Sequence, residues 1–97
     1  MYRYLSVAGV IGFKIGSFSI SSNSTKELEL GAGFLFVSVP GAQYSFLYNI
    51  DFWSKNIIPI QAYYENYLGF ELMENGKTVV ITNKTSYTYD IRYVFIG

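Results

Sequence analysis

The sequence predicts an all-β protein, an antiparallel β-sandwich of jelly-roll-like topology with about seven to nine short strands. Three observations predict it: apolar and polar residues alternate with a period of two along most of the chain, turn residues recur at short intervals, and one stretch alone, 53–67, departs from the alternation. A chain of 97 residues is sufficient for a single domain, 1–97, with one core.

The first predicted element is a β-hairpin between residues 13 and 30. Its apolar residues change from odd to even positions at Gly16-Ser17, and a glycine at such a change predicts a β-bulge. The polar run 21–25 predicts the turn of the hairpin. In the second strand, leucines alternate with glutamates over 27–30, which indicates one buried and one solvated face.

Two further strands are predicted in the middle of the chain. Residues 34–39 (FLFVSV) are apolar at both parities, so this strand is buried on both sides or has one side against a partner chain. Pro40-Gly41 ends it with a tight turn. Residues 43–52 alternate strictly apart from Leu47, which predicts a strand with one buried and one wet face.

The irregular stretch begins with a loop at 53–56, followed by an edge strand at 57–60 because that segment contains a proline. Residues 62–67 (AYYENY) fit either a short helical turn or a strand, and their tyrosine content favours the strand.

The last two predicted turns define three strands. Asn75-Gly76 predicts a type I′ hairpin, because both central residues of that turn need positive φ. The register would place Leu72 opposite Val79 and Phe70 opposite Ile81. Residues 83–86 then predict another turn, and a final strand spans 87–96 with tyrosines at alternate positions.

The composition excludes several functional classes. The chain has no histidine and no cysteine, so the usual zinc, haem and iron–sulfur sites and both Ser-His-Asp and Cys-His catalysis are excluded. We therefore predict no cofactor and no enzymatic activity.

The 7 basic and 7 acidic side chains cancel, which argues against a nucleic-acid partner. The apolar stretch 4–13 is about half as long as a membrane-spanning helix, so no membrane insertion is expected.

The acidic pairs and the glycosylation sequences have simpler explanations than function. Glu71 and Glu74 fall on opposite faces of a strand, whereas paired catalytic carboxylates must face each other. The sequons at 23–25 and 83–85 lie in predicted turns, where Asn, Ser and Thr are favoured for backbone reasons.

The aromatic residues supply the positive functional signal, since they make up 20% of the chain while charged residues make up 14%. Some of these rings are expected at the surface or against another chain. Rings in an irregular segment can stack on sugars, which gives the ligand-binding candidates Trp53, Tyr63, Tyr64 and Tyr67. Rings on strands are favoured in subunit interfaces, which gives the interface candidates Phe34, Phe36, Tyr89, Tyr93 and Phe95. Packing within the core is the simpler alternative for both groups.

Three stretches, 17–30, 68–83 around Asn75-Gly76, and 89–97, resemble the small β-sandwich head domains at the C-termini of phage tail fibres and receptor-binding proteins. The resemblance implies a homotrimer, other virion proteins as partners, a cell-surface glycan or protein as receptor, and a location in the virion or otherwise outside the cell. It transfers no binding residue. A fibre head normally follows a shaft, whereas this sequence starts at Met1, so the expectation is either a separate capsid-decoration or tip subunit or a shaft that belongs to another protein.

The leading hypothesis is therefore a non-enzymatic phage structural protein, of tail-fibre-tip or capsid-decoration type, that oligomerises through aromatic β-surfaces. A carbohydrate-binding module that uses the loop aromatics is one alternative. A small protein inhibitor of a host enzyme is another.

Overall fold

The structure, a computed structural model, describes residues 13–42, 44–51 and 53–97. These ranges contain strands and turns but no helix. The eight strands are β1 (Phe13–Ile20), β2 (Thr25–Glu29), β3 (Gly33–Val39), β4 (Tyr44–Asp51), β5 (Asn56–Gln61), β6 (Leu68–Leu72), β7 (Thr78–Asn83) and β8 (Tyr89–Ile96). The all-β prediction and the predicted strand number are confirmed.

The strands form two antiparallel sheets that pack as a sandwich. A five-stranded sheet has the order β1-β8-β3-β4-β5, and a three-stranded sheet has the order β2-β7-β6. In the five-stranded sheet β1 pairs with β8, and in the three-stranded sheet β2 pairs with β7. The last strands thus run antiparallel beside the first strands in both sheets, which is the jelly-roll-like part of the topology. The strands β3, β4 and β5 instead form a meander within one sheet.

The core lies between the inner faces of the two sheets, where alternate residues of each strand meet. In β4 the alternation is as predicted, with Phe46, Tyr48 and Ile50 buried. Each apolar side chain taken from water into this layer contributes about 1.5–3 kcal/mol. The buried apolar residues are Ile20, Leu28, Leu30, Leu35, Val37, Val39, Phe46, Tyr48, Ile50, Leu68, Phe70, Val79, Ile81, Ile91 and Phe95.

The predicted hairpin between β1 and β2 is wrong. β1 pairs with β8 and β2 pairs with β7, so the turn between them carries the chain from one sheet to the other. The distant end of β7 holds this turn, since the Asn83 amide nitrogen of the backbone donates to the Ser24 carbonyl at 2.9 Å. A long-range contact therefore overrides the local pattern that indicated a hairpin.

The predicted β-bulge at Gly16-Ser17 is also wrong. The register of β1 against β8 is unbroken from Phe13↔Ile96 to Ile20↔Tyr89. Ile15 consequently points outward and is 68% exposed, whereas Ile20 is buried. Gly16 has a different role: a Cβ there would lie 2.7 Å from the ring of Tyr93, its cross-strand partner. The glycine leaves room for that ring to lie across β1.

The turn between β6 and β7 keeps the predicted register but not the predicted turn type. Leu72 pairs with Val79 and Phe70 with Ile81. Gly76 adopts a positive φ of 72°, but Asn75 does not, so the turn is not type I′. The Asn75 side-chain oxygen instead accepts hydrogen bonds from the backbone N–H of Lys77 at 2.8 Å and of Thr78 at 3.0 Å.

The prediction of a strand at 62–67 is wrong, while the proline-containing edge strand before it is confirmed as β5. The segment makes one helical turn, in which the backbone N–H groups of Tyr67 and Leu68 donate to the Tyr64 carbonyl at 2.9 and 3.3 Å. Residues three apart on such a turn lie on the same side. Tyr64 and Tyr67 can therefore both pack against Tyr44, which an extended segment would prevent.

A buried asparagine, Asn83 at 0% exposure, ties three segments together at one end of the sandwich. Its Nδ2 donates to the carbonyls of Ile20 (3.1 Å), Ser21 (3.2 Å) and Tyr87 (2.6 Å). Its Oδ1 accepts from the backbone N–H of Thr85 at 2.9 Å and from the Thr85 hydroxyl at 2.8 Å. Because this amide is buried and fully engaged, the sequon at 83–85 serves the turn and does not present a glycosylation site.

We expect Asn83→Ala to lower the free energy of unfolding by about 2–4 kcal/mol, because it leaves buried carbonyls without a donor. Asn83→Asp should cost at least as much, since it turns a carboxylate oxygen towards those carbonyls. Urea denaturation measures both. Asn75→Ala, in an exposed turn, is the matched control with an expected loss of about 1 kcal/mol. Equal losses for Asn83→Ala and Asn75→Ala would contradict the role given to Asn83.

Candidate functional site

The outer face of the five-stranded sheet carries side chains in rows that run across the strands, because the register places cross-strand partners opposite each other. We name three of these rows. The central row is Ile15, Val94, Phe36 and Leu47; the lower row is Ile96, Phe34, Asn49 and Ile58; and the serine–arginine row is Ser17, Arg92, Ser38 and Ser45.

Seven of the eight side chains in the central and lower rows are apolar, Asn49 being the exception, and four of the eight are exposed. Ile15 is 68% exposed, Phe34 46%, Phe36 41% and Ile58 42%. Isolated exposed apolar residues are normal on protein surfaces, but a contiguous patch that crosses several strands marks a surface that another molecule covers. The outer apolar face, which we define as the central and lower rows, is therefore the candidate site.

An open groove of about 610 Å³ lies next to the central row on this face. Its floor lies low because three of the four residues in the serine–arginine row are serines, whose side chains are small. Larger apolar side chains of the central row form its wall. The outward side chains that line it are Ile15, Ser17, Phe36, Ser38, Ser45, Arg92 and Val94.

Arg92 provides the one charge within the three named rows, and no acidic side chain belongs to them. The nearest carboxylate along β8, Asp90, accepts a hydrogen bond from the Ser19 hydroxyl at 2.7 Å. The groove thus offers apolar contact, three hydroxyl groups and one guanidinium. These groups can bind and orient a partner, but they include no nucleophile paired with a base.

The outer face of the three-stranded sheet has the opposite character. Val80 of β7 lies between Glu27 of β2 and Glu71 of β6 in the register, and both glutamates are exposed. Thr25 and Thr82 continue this polar surface. The sandwich therefore has one wet outer face and one apolar outer face.

A tyrosine cluster occupies the end of the sandwich where β4 begins. The ring of Tyr44 stacks on that of Tyr67 with centroids 4.7 Å apart and planes at 9°, and it also contacts Tyr64 at 4.9 Å and Tyr89 at 5.8 Å. A hydrogen bond with Tyr89 raises the pKa of the Tyr44 hydroxyl. Tyr67 is 40% exposed and the adjacent Tyr63 is 81% exposed, so the cluster presents rings to solvent.

A hydrogen bond fixes the helical turn of this cluster to the core. Tyr48, which is 1% exposed, donates from its hydroxyl to Oε2 of Glu65 at 3.0 Å. Burial, and then this hydrogen bond, raise the pKa of Tyr48 well above its usual value. Lys84 adds a second link by donating to the Glu65 carbonyl at 3.1 Å.

Trp53 lies at the opposite end of the sandwich, in the turn after β4, and is 88% exposed. The seven residue steps of β4, at roughly 3.3 Å each, separate that turn from Tyr44 by about 23 Å. Asp51 orders the turn by accepting hydrogen bonds from the hydroxyl (2.5 Å) and backbone N–H (3.2 Å) of Ser54, which lower its pKa. The four ligand-binding candidates thus divide into Tyr63, Tyr64 and Tyr67 at one end and Trp53 at the other.

The interface candidates also divide. Phe34 and Phe36 point outward, whereas Phe95 is 2% exposed and lies within the core. Tyr89 and Tyr93 are half-buried and pack against that core from the inner face. The interface candidates did not include Arg92 or the other apolar residues of the outer apolar face, which are Ile15, Leu47, Ile58, Val94 and Ile96. The available signals were Leu47, which breaks the alternation of its strand, and the apolar outward end of the last strand at Val94 and Ile96.

The described ranges contain no group of three or more acidic side chains placed to hold a metal ion. In the same part of the chain, no helix is long and apolar enough to cross a membrane.

Compared with models of protein families, with curated proteins and with solved structures, the chain matches none of them.

We expect Tyr48→Phe to lower the free energy of unfolding by about 0.5–1.5 kcal/mol at neutral pH, because it removes one hydrogen bond. The pKa of Tyr48 is higher in the folded protein than in the unfolded chain. Its contribution to stability is therefore complete below about pH 10 and is lost as the pH rises above that value. The stability difference between wild type and Tyr48→Phe should shrink above about pH 10.

Urea denaturation from pH 7 to 11 measures this difference, with Tyr63→Phe as an exposed control. A constant difference across the whole range would contradict the assignment.

Proposed function

We propose that the protein is a non-catalytic structural protein that acts by assembling with copies of itself through the outer apolar face. The single observation that carries the proposal is the contrast between the two outer faces. Glutamates flank the central residue of one face, whereas phenylalanine and aliphatic residues make up seven of the eight members of two rows of the other. Solvation explains the first pattern, and coverage by another apolar surface explains the second.

The size of the outer face supports this proposal. Five strands about 4.8 Å apart and eight residues of about 3.3 Å each give roughly 20 Å by 26 Å. The projected area is then about 500 Å², and the accessible area of a surface covered by side chains is larger. A standard protein–protein interface buries about 800 Å² per partner. The outer face of the whole sheet, of which the outer apolar face is a part, is therefore of the same order of size as one side of a standard interface.

The setting that we propose is a virion. Its support is the resemblance of residues 17–30, 68–83 and 89–97 to the head domains of phage tail fibres and receptor-binding proteins. A capsid-decoration or fibre-tip subunit works by binding its neighbours and needs no catalytic group, which agrees with the chemistry of the outer face. Other virion proteins and a cell-surface receptor are the partners of this proposal.

Phe36→Ser should shift the protein from an oligomer to a monomer at micromolar concentration, because the ring lies in the middle of the central row. Loss of one buried phenylalanine from each side of a contact weakens association by about tenfold or more. Light scattering coupled to size-exclusion chromatography measures the mass. Val80→Ser, on the wet face, is the control and should leave the mass unchanged. A monomeric wild type at these concentrations would contradict self-assembly.

A second function, carbohydrate binding, is supported by the tyrosine cluster. The parallel stack of Tyr44 and Tyr67 leaves one ring partly exposed beside the more exposed Tyr63. Flat aromatic rings with hydroxyl groups at their rim suit the C–H faces and hydroxyls of a sugar. Trp53 lies too far away to join the same binding site.

If the tyrosine cluster binds glycans, Tyr67→Ala and Tyr63→Ala should each abolish binding on a glycan array, because each removes an exposed stacking surface. Trp53→Ala is the matched control, since it removes an exposed ring at the opposite end. Binding that is lost with Trp53→Ala and kept in both tyrosine variants would contradict this assignment.

A further inference from the structure

The outer face of the five-stranded sheet carries a projection, Phe34 of the lower row, and a groove at the serine–arginine row, and these lie on opposite sides of the central row. We infer that two copies pack face to face about a two-fold axis that crosses the strands at the central row, so that Phe34 of each copy enters the serine-floored groove of the other. The inference rests on the proposed function and specifies its assembly as a two-fold pair, which differs from the homotrimer that the resemblance implies.

The register gives this geometry directly. An axis across the strands at Phe36 places β3 of one copy antiparallel over β3 of the other. Phe34 lies two residues before Phe36, and Ser38 lies two residues after it, so Phe34 of one copy falls over Ser38 of the other. Because the contact is symmetric, the same insertion occurs twice. The groove of about 610 Å³ is large enough to receive a phenyl ring.

Two further pairs from these rows are matched by the same axis. The lower row of one copy faces the serine–arginine row of the other, so that Asn49 falls over Ser45 and Ile96 over Arg92. An amide then meets a hydroxyl, and an aliphatic side chain meets the methylene stem of the arginine. The Arg92 guanidinium lies beside the inserted Phe34 ring, where a cation–π contact is favourable.

Charge does not oppose this arrangement. The two Arg92 side chains are on the same strand of each copy but on opposite sides of the axis. Four residue steps at roughly 3.3 Å place them about 13 Å apart in the plane of the sheets, a distance at which the repulsion between two unit charges is weak. Since Arg92 is the one charge in the three rows, no other like-charged pair is brought together.

The other simple axis, parallel to the strands along β3, gives a poorer fit. It would place Phe34 on Phe34 and Phe36 on Phe36, so that projections meet projections. Both grooves would then stay open to solvent, with Ser38 over Ser38. Sheets in face-to-face packing lie about 10 Å apart and interdigitate, which requires projections to meet grooves.

Single introduced cysteines test the geometry, because the chain has none of its own. Val94 lies in the central row, so the axis brings the two copies of this residue together. Val94→Cys should give a covalent dimer with a short bifunctional maleimide reagent that spans the gap between packed sheets. Glu27→Cys, on the outer face of the three-stranded sheet, is the control and should not be cross-linked. Denaturing gel electrophoresis reads both.

A second variant separates this geometry from general hydrophobic association. Ser38→Phe adds apolar surface but fills the groove. If the groove must receive Phe34, the variant should weaken dimerisation by about tenfold or more, as Phe34→Ser should. Analytical ultracentrifugation gives the dissociation constants, and circular dichroism confirms that each variant is folded.

The outcomes distinguish the two proposals. A dimeric wild type, cross-linked Val94→Cys and weakened Ser38→Phe support the inference. A monomeric wild type overturns both the inference and the proposed self-assembly. A trimer overturns the two-fold geometry and leaves self-assembly standing. A dimer that is strengthened by Ser38→Phe, or in which Val94→Cys is not cross-linked, also overturns the inference alone.

Discussion

The placement of β8 between β1 and β3 is the interaction on which the rest of the structure depends. This pairing closes the sandwich, because it joins strands from the two ends of the described chain within one sheet. It also fixes both faces of that sheet. With Phe95 and Ile91 turned into the core, Val94 and Ile96 must point outward beside Phe36 and Phe34. A shift of one residue would exchange the faces and bury Arg92, so core packing specifies the outer rows as well.

Much of the fold could be predicted from the sequence because it is governed by local patterns. Alternation identified β4 and the register of β6 with β7, and Pro59 identified β5 as an edge strand. What failed depends on contacts between distant residues. The sequence at 21–25 is typical of a hairpin turn, but it does not reveal that the Asn83 side chain donates hydrogen bonds to the carbonyls of Ile20 and Ser21. Gly16 indicates a special backbone position, but not that the ring of Tyr93 needs the space.

The candidate site was also predictable where it depends on a local pattern. A strand that is apolar at both parities must present one face away from its own core, and this identified Phe34 and Phe36. Parity does not say which face of the last strand is inner, so Phe95 and Tyr93 entered the same list although they pack inside. Closeness in sequence was similarly misleading for Trp53, because β5, which follows it, carries the chain to the other end of the sandwich before Tyr63 is reached. Arg92 becomes informative only when the register places it among three serines.

Pro59 has a consequence for the kind of assembly that this sandwich can make. It sits opposite Tyr48 on an edge strand and has no backbone N–H to offer to an incoming strand. Addition of a further chain at this margin is therefore disfavoured, which is how many β proteins resist fibril formation. In the assembly that we propose, the contact uses the broad outer face instead, where identical patches pair and the contact closes on itself. Such an assembly would have a finite size although the surface that forms it is apolar.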